Sequence, residues 1–459
     1  MALGAVLILG LGKSGQAAAS YCLSLTSEKV DSVTVMDSGD SAILRERAEA
    51  LAAAGAAVVL GVPQVEGRFD LCVASPGIPP HAPLLSSARL VCGEVISEIE
   101  FAFRESHSPW VAVTGTNGKT TTTALITHLL NCGGIPARSV GNFGPPAIEA
   151  VMDAADGEVL VAEVSSFQLA LTDRFHPRVA VLLNITPDHV EWHGSLESYA
   201  ADKGRVFANL GDDDVAVVDV DDEGSALQVP ELVERRVPIV RVSRFRSFEG
   251  GASVVDGMMR LQPAGAPVDL IPIESLGILG SHNVSNALAA AAAADAMGVS
   301  AGALRDGLSS FEPIEHRLEP AGSVAGVEWF NDSKATNPDA VSKAMEAFSG
   351  RPLILLLGGR SKGSDFGPLA TQAAGIARTV IVFGEARDEI VGAFSGMDIS
   401  PESCATLAQA VGLADGLARP GDAVLLSPGC ASFDEFENYE ERGRAFKSMV
   451  AALSQKGQW

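Results

Sequence analysis

The stretch Trp110-Val-Ala-Val-Thr-Gly-Thr-Asn-Gly-Lys-Thr-Thr-Thr-Thr123 decides how the rest of this chain is to be read. Trp110 to Val113 predicts a buried strand, Gly115 to Gly118 a flexible turn, and Ala124 to Leu130 an apolar helix. Glycines let backbone N–H groups approach an anion closely. A helix N-terminus adds partial positive charge at the same place. Lys119 is placed to neutralise a terminal phosphate, and Thr120 to offer its hydroxyl to Mg²⁺. Gly115, Thr116, Asn117, Gly118, Lys119, Thr120 and Thr121 therefore form a candidate phosphate cradle. The spacing is tighter than the general G-x-x-x-x-G-K-[ST] pattern. A plain strand-to-helix turn with a surface lysine is the alternative, but it leaves the combination of strand, glycines, Lys-Thr and helix unexplained.

Length and composition set outer bounds. A chain of 459 residues exceeds one ordinary domain and suggests about three. A 47% hydrophobic content provides for several cores. The net charge of −24 argues against general binding to nucleic acid or anionic membrane, while leaving room for a local basic pocket. The six cysteines are scattered without C-x-x-C spacing, so zinc and redox motifs are not expected and a reduced compartment fits. No apolar stretch approaches the ~20 residues of a membrane span. The N-terminus opens on strand-like sequence without a basic region or cleavage signal. A soluble cytoplasmic protein is expected.

N-terminal to the phosphate loop, Ala5 to Leu9 leads into Gly10-Leu-Gly-Lys-Ser-Gly15 and a small-residue helix, and a second strand ends at Asp37. This is Rossmann spacing in the right strand–turn–helix context. It reads first as an NAD(P) site, although any nucleotide diphosphate suits such a turn. Leu71 to Ala74 runs into Ser75-Pro-Gly-Ile78 at a strand's carboxyl end, where ligands of open α/β sheets collect. A boundary falls near residue 107.

Beyond the loop, Asn142 lies in a glycine- and proline-bounded turn, and Val159 to Val164 predicts a strand carrying Glu163, a candidate Mg²⁺ ligand. Val179 to Asn184 precedes a polar cluster of Asp188, His189, Glu191 and His193. Zinc is one reading of it; a Mg²⁺-linked role for His189 is the better one. Lys203 reads on spacing alone as a surface lysine. Residues 211–280 read as an insertion with its own small sheet. Asn283 and Asn286 share one side of a helix's first turn, where they suit either a nucleobase edge or N-capping. Residues 311–317 look like a hinge into a third unit whose strands alternate with helices, with polar turns at Asn331–Asn337, Gly358–Gly363 and Ser427–Asp434.

The strings Thr114-Gly-Thr-Asn-Gly-Lys-Thr120, Glu163, His189, His282-Asn-x-x-Asn286, His316-Arg317 and Asn331-Asp-Ser-Lys-Ala-Thr-Asn337 resemble the Mur ligases, the ATP-dependent amide ligases of peptidoglycan precursor synthesis. Asn331–Asn337 and Leu426–Gly443 resemble the D-glutamate-adding branch; the D-N-P-R string of the diaminopimelate- and lysine-adding relatives is absent. A sister Mur ligase with a different amino acid is the alternative.

The resemblance implies three α/β domains: a Rossmann-like UDP domain at 1–107, a central P-loop ATPase-type domain at 108–314, and a Rossmann-like amino-acid domain at 315–459. It implies ATP, two Mg²⁺ ions, UDP-N-acetylmuramoyl-L-alanine and D-glutamate as ligands of a monomer. Lys119, Glu163, His189 and Lys203 are its catalytic set. Thr120 and Glu163 hold the first Mg²⁺; His189 and a carbamylated Lys203 help hold the second. Asn283, Asn286, Arg317 and Asp332 contact ATP. Gly12, Lys13, Ser14, Asp37 and Ser75 line the UDP pocket, and Asn142, Ser165 and Gln168 face the muramoyl-alanine arm. Asp188, Lys334, Thr336, Lys362, Ser432 and Tyr439 frame D-glutamate. The family usually has phenylalanine where Tyr439 stands.

Overall fold

Aliphatic runs bounded by glycine, proline and polar turns become strands buried on both faces, the pattern that parallel sheets covered by helices require. The computed structural model describes residues 2–262, 266–361 and 363–456. Three sheets follow one another along the chain. The first holds β1 (Gly4–Leu9), β2 (Val30–Asp37), β3 (Ala57–Leu60), β4 (Phe69–Ala74) and β5 (Cys92–Ser97). Its order is β3-β2-β1-β4-β5, parallel throughout, a doubly wound arrangement whose strand order reverses beside β1.

The central sheet has nine strands: β6 (Trp110–Thr114), β7 (Ala137–Gly141), β8 (Val159–Glu163), β9 (Val179–Leu182), β10 (Val215–Asp219), β11 (Ile239–Ser243), β12 (Ala252–Val255), β13 (Met258–Leu261) and β14 (Val268–Pro272). The order β14-β13-β12-β11-β10-β9-β6-β8-β7 overturns one expectation. Residues 211–280 do not build a separate sheet. β10 pairs in parallel with β9, Val215 opposite Val179, and β11 to β14 continue outward from it. Ala216, Val217 and Val218 of β10 are buried, so pairing with an existing edge covers both the backbone polar groups and these side chains.

The third sheet runs β15-β16-β20-β17-β18-β19, from β15 (Glu319–Val324), β16 (Val327–Asn331), β17 (Leu353–Gly358), β18 (Ala377–Phe383), β19 (Glu402–Ser403) and β20 (Ala423–Gly429). Among the described strands of this sheet, β15 and β16 pair antiparallel and the others parallel.

Contacts divide the chain into two compact units, residues 1–275 with 285–309, and residues 276–284 with 310–459. Residue 107 therefore lies inside the first unit. The helix Glu98–Glu105, just before it, carries two buried carboxylates that bind the central part of the chain. Glu100 accepts from the backbone N–H groups of Asp173, Arg174 and Phe175 at 3.1, 2.9 and 2.9 Å, and from Arg104 at 2.6 Å. Glu98 accepts from Ile148 N at 2.8 Å, and burial pushes its carboxyl up to about 7. Among the described residues no helix is long and apolar enough to cross a membrane.

Candidate active site

β6 ends at the glycine turn, and the helix Lys119–Cys132 begins directly after it. Gly118 has φ +84°, and a Cβ there would meet Asn286 Oδ1 at 2.4 Å, so glycine is needed both for the turn and for Asn286 to lie against it. Asn184, just past β9, clasps the loop through its amide. It accepts from Asn117 N at 2.8 Å and donates to Asn117 O at 3.1 Å. Thr116 Oγ1 lies 3.0 Å from the Tyr199 hydroxyl and donates to Thr186 O at 3.1 Å. The backbone donors of the turn are thus fixed before any anion arrives. Lys119 Nζ folds back onto its own loop, donating to Gly115 O and Thr116 O at 2.9 Å each.

Glu163 closes β8, paired beside β6. Its carboxylate is 3% exposed and both oxygens accept hydrogen bonds, from Thr120 Oγ1 at 2.7 Å and from Asn142 Nδ2 at 2.9 Å. A carboxylate and a hydroxyl meeting at the foot of a phosphate loop are hard oxygen donors of the kind Mg²⁺ takes. Lys203 is the clearest departure from the spacing argument. It is 2% exposed, not a surface lysine, and its Nζ donates to Gly115 O at 2.8 Å, the carbonyl Lys119 also uses. Burial, then the nearby Lys119 charge, hold its ammonium well below the ordinary lysine range. His189 has φ +51°, and its Nε2 lies 3.5 Å from Asp188 Oδ2. Burial lowers its pKa, with the charges of Lys119 and Lys203 acting the same way.

The cluster 188–193 does not converge as a zinc site would. Among the described residues, the group of three potential metal ligands that does converge is Glu315, His316 and Glu319, and there Lys447 Nζ already bridges the two carboxylates at 2.7 and 2.8 Å. His193 instead turns inward, between Ser166 and Asp202.

At the first glycine turn, Asp37 accepts from Leu11 N at 2.7 Å and Gly39 N at 2.8 Å, and Ser75 Oγ donates to Gly10 O at 3.3 Å. Gly12, Lys13 and Ser14 open the next helix at or near the surface. Ser165 and Gln168 form a reciprocal cap on the short helix Ser166–Leu169, with Ser165 N donating to Gln168 Oε1 at 2.9 Å. Asn283 Nδ2 donates to Leu279 O at 2.6 Å.

In the second unit, candidate residues gather at the carboxyl ends of β16 and β20. Asp332 accepts from Ser427 Oγ at 2.7 Å and Leu318 N at 3.3 Å; burial pushes its carboxyl up to about 7, against these donors and the charge of Arg317. Lys334 Nζ sits 4.0 Å above the Tyr439 ring, so the contact there is made by the aromatic face. Arg442, buried, ties Ser333 to Cys430 O. Thr336 is half-buried and Ser432 is buried at the turn after β20. Lys362 lies outside the described residues.

Sequence reasoning passed over Asn184, Ser166, Tyr199, Asp202, Ser427 and Arg442, and gave His193 only a place in a candidate metal cluster. For Asn184 and Ser427 the signal was their place at a strand's carboxyl end. For the others only packing shows the role.

Comparison with known proteins gives one answer. Residues 113–294 match the Mur ligase middle domain, and residues 316–430 match the Mur ligase glutamate ligase domain. The chain is 42% identical over 458 residues to the UDP-N-acetylmuramoylalanine–D-glutamate ligase of Acidobacterium capsulatum, covering 99% of this chain and 97% of that one. It is 41% identical over 451 residues to the enzyme of the same name from Pelotomaculum thermopropionicum, covering 98% and 97%. Its fold is like that of the UDP-N-acetylmuramate-alanine ligase of Thermotoga maritima, with a TM-score of 0.58 at 18% identity over 98% of this chain and 99% of that one. The pseudomurein peptide ligase type C of Methanothermus fervidus gives 0.60 at 18% identity over the same shares. With the glycine turn, its paired lysines and the Thr120–Glu163 contact all lying inside a stretch shared end to end with such enzymes, the chain belongs to the Mur ligase family.

Proposed function

We propose that this protein joins D-glutamate to UDP-N-acetylmuramoyl-L-alanine at the expense of ATP, giving ADP and phosphate in peptidoglycan precursor synthesis. The observation that carries this reading is full-length similarity to D-glutamate ligases. The place of Lys119, at the helix start and over the loop carbonyls of the glycine turn, supports it. The alanine carboxylate attacks the γ-phosphorus, the bond to the β-phosphate oxygen breaks, and ADP leaves. The D-glutamate amine then attacks the acyl carbon, loses a proton, and phosphate departs. Two anions meet in the first step, so positive charge and fixed donors set its rate. Lys119 and the amides of Gly115 to Thr121 hold the phosphates; Asn283 and Asn286 face the adenine, Arg317 a phosphate and Asp332 the ribose.

Thr120 and Glu163 fit Mg²⁺ by donor chemistry and would hold it, and the ion would supply charge neutralisation for the phosphates. His189 and Lys203 suit a second ion once Lys203 is carbamylated, because the carbamate gives the hard oxygen donors Mg²⁺ takes, which an amine does not. The depressed pKa of Lys203 supports that change, since the neutral amine is the form that adds carbon dioxide. Gly12, Lys13, Ser14, Asp37 and Ser75 take the UDP group, and Asn142, Ser165 and Gln168 the muramoyl-alanine arm. Asp188, Lys334, Thr336, Lys362, Ser432 and Tyr439 frame D-glutamate. We assign domain limits of 1–107, 108–314 and 315–459 to a cytoplasmic monomer that binds no nucleic acid.

The test is phosphate release from ATP, which should require UDP-N-acetylmuramoyl-L-alanine and D-glutamate together. Equal release with L-glutamate, L-alanine, L-lysine or diaminopimelate would overturn the amino-acid assignment. Lys203→Ala should lose activity and regain part of it with added short-chain carboxylic acids; failure of rescue would remove the carbamate.

A further inference from the structure

Three segments of the first unit each carry one residue of the proposed reaction centre. The turn after β8 follows Glu163, the segment 188–193 holds His189, and the helix Leu196–Gly204 holds Lys203. One imidazole, belonging to the second of them, hydrogen-bonds to the other two. His193 Nε2 lies 2.9 Å from Ser166 Oγ, and His193 Nδ1 lies 2.7 Å from Asp202 Oδ2. The His193 side chain has no solvent exposure. With a carboxylate on Nδ1 that nitrogen carries the proton, so Nε2 accepts from the serine hydroxyl.

The arrangement has the order of a nucleophilic triad but not its access. Ser166 is 3% exposed, and the imidazole lies stacked on Phe167, with centroids 5.5 Å apart at 13°, and edge-on to Tyr199 at 5.1 Å. No substrate reaches that hydroxyl. What the chain of hydrogen bonds does fix is register. Asp202 immediately precedes Lys203, and Tyr199, one turn earlier, holds Lys203 Nζ 4.6 Å from its ring centroid while its hydroxyl meets Thr116 of the phosphate loop at 3.0 Å.

We propose that His193 is a positioning residue, which, through Ser166 and Asp202, holds the amine of Lys203 and the carboxylate of Glu163 in fixed relation to the phosphate loop. It touches no reacting atom. The inference rests on the function proposed above. Supporting side chains of this kind typically govern about 10- to 100-fold in activity when removed.

The test is a double-mutant cycle on the full chain. His193→Phe keeps the ring packing and removes both hydrogen bonds; Asp202→Asn is the milder second variant should the first not fold. With D-glutamate and both nucleotides, His193→Phe should lower kcat about 10- to 100-fold while KM for ATP and for the UDP-linked substrate stays within about twofold. In a Lys203→Ala background the same change should cost less than about threefold. Under ¹³C-bicarbonate, the carbamate resonance expected of the wild-type protein, and missing from Lys203→Ala, should weaken in His193→Phe and in Asp202→Asn. Equal loss with and without Lys203, or an unchanged kcat with an unchanged resonance, would overturn the proposal. A wild-type protein that releases no phosphate with both substrates would overturn the functional reading instead.

Discussion

Two turns of this protein start from the same local grammar. Gly10–Gly15 and Gly115–Lys119 each follow a buried parallel strand and open a helix. In the first, the polar equipment is spent on the turn itself, with both oxygens of Asp37 on backbone amides and Lys13 standing in solvent. In the second, the lysine lies at the first helical position and folds inward, a second lysine reaches the same carbonyl from another helix, and the threonine after it meets a buried carboxylate. Glycines shape a backbone that admits an anion; the side chains at the helix start decide whether that anion is merely held or made to react.

Lys119→Ala breaks the contrast most sharply. It should cut D-glutamate-dependent phosphate release by about a thousandfold or more, while the UDP-linked substrate still binds with unchanged affinity by calorimetry. Loss of that binding as well would mean that the two turns do not act separately. At the first turn, a Cβ on Gly15 would lie 1.9 Å from Gly10 O, whereas one on Gly12 meets nothing within 4 Å. Gly15→Ala should therefore destabilise by about 2–4 kcal/mol and abolish UDP-substrate binding, and Gly12→Ala should unfold within ~0.5 kcal/mol of the parent.

Glu98 fastens the sheet of the first turn to the central one, and its folded pKa of about 7 lies above the ordinary carboxyl value. The folded state then keeps a proton the unfolded state gives up. The contribution of Glu98 to stability should be greatest below pH ~4, fall as pH rises to about 7, and level off above it. Glu98→Gln, neutral throughout, should lack this fall, giving denaturation curves that match near pH 4 and separate by about 3–4 kcal/mol at pH 8. A modest effect on binding belongs to Asp37→Asn, which keeps one acceptor oxygen of two. It should weaken UDP-substrate binding by about tenfold or less, a cost near 1 kcal/mol, without changing kcat.

Much of this was legible because it is local. Strand 110–114, its glycines, Lys119 and the following helix are neighbours in sequence, and periodicity with turn chemistry suffices to place them. The match of Asp37 to the first turn follows from one fixed spacing in a doubly wound sheet. What spacing alone could not give is whatever depends on contacts across long stretches of chain. It made Lys203 a surface lysine, and only the family resemblance corrected that, because nothing near it in sequence says that its helix packs under a loop eighty-eight residues earlier. His193 looked like half of a metal site until packing put its ring between Ser166 and Asp202. Residues 211–280 carried strand signals, yet a strand's signal says nothing about its partner, and the sheet they joined was decided by which edge stood open. The sequence by itself determined three α/β sheets, a phosphate loop and the residues able to serve it. Tertiary structure alone decided which polar groups are buried, and burial is what turns an ordinary lysine or histidine into part of a reaction centre, because charge and hydrogen bonds gain their strength where water is excluded.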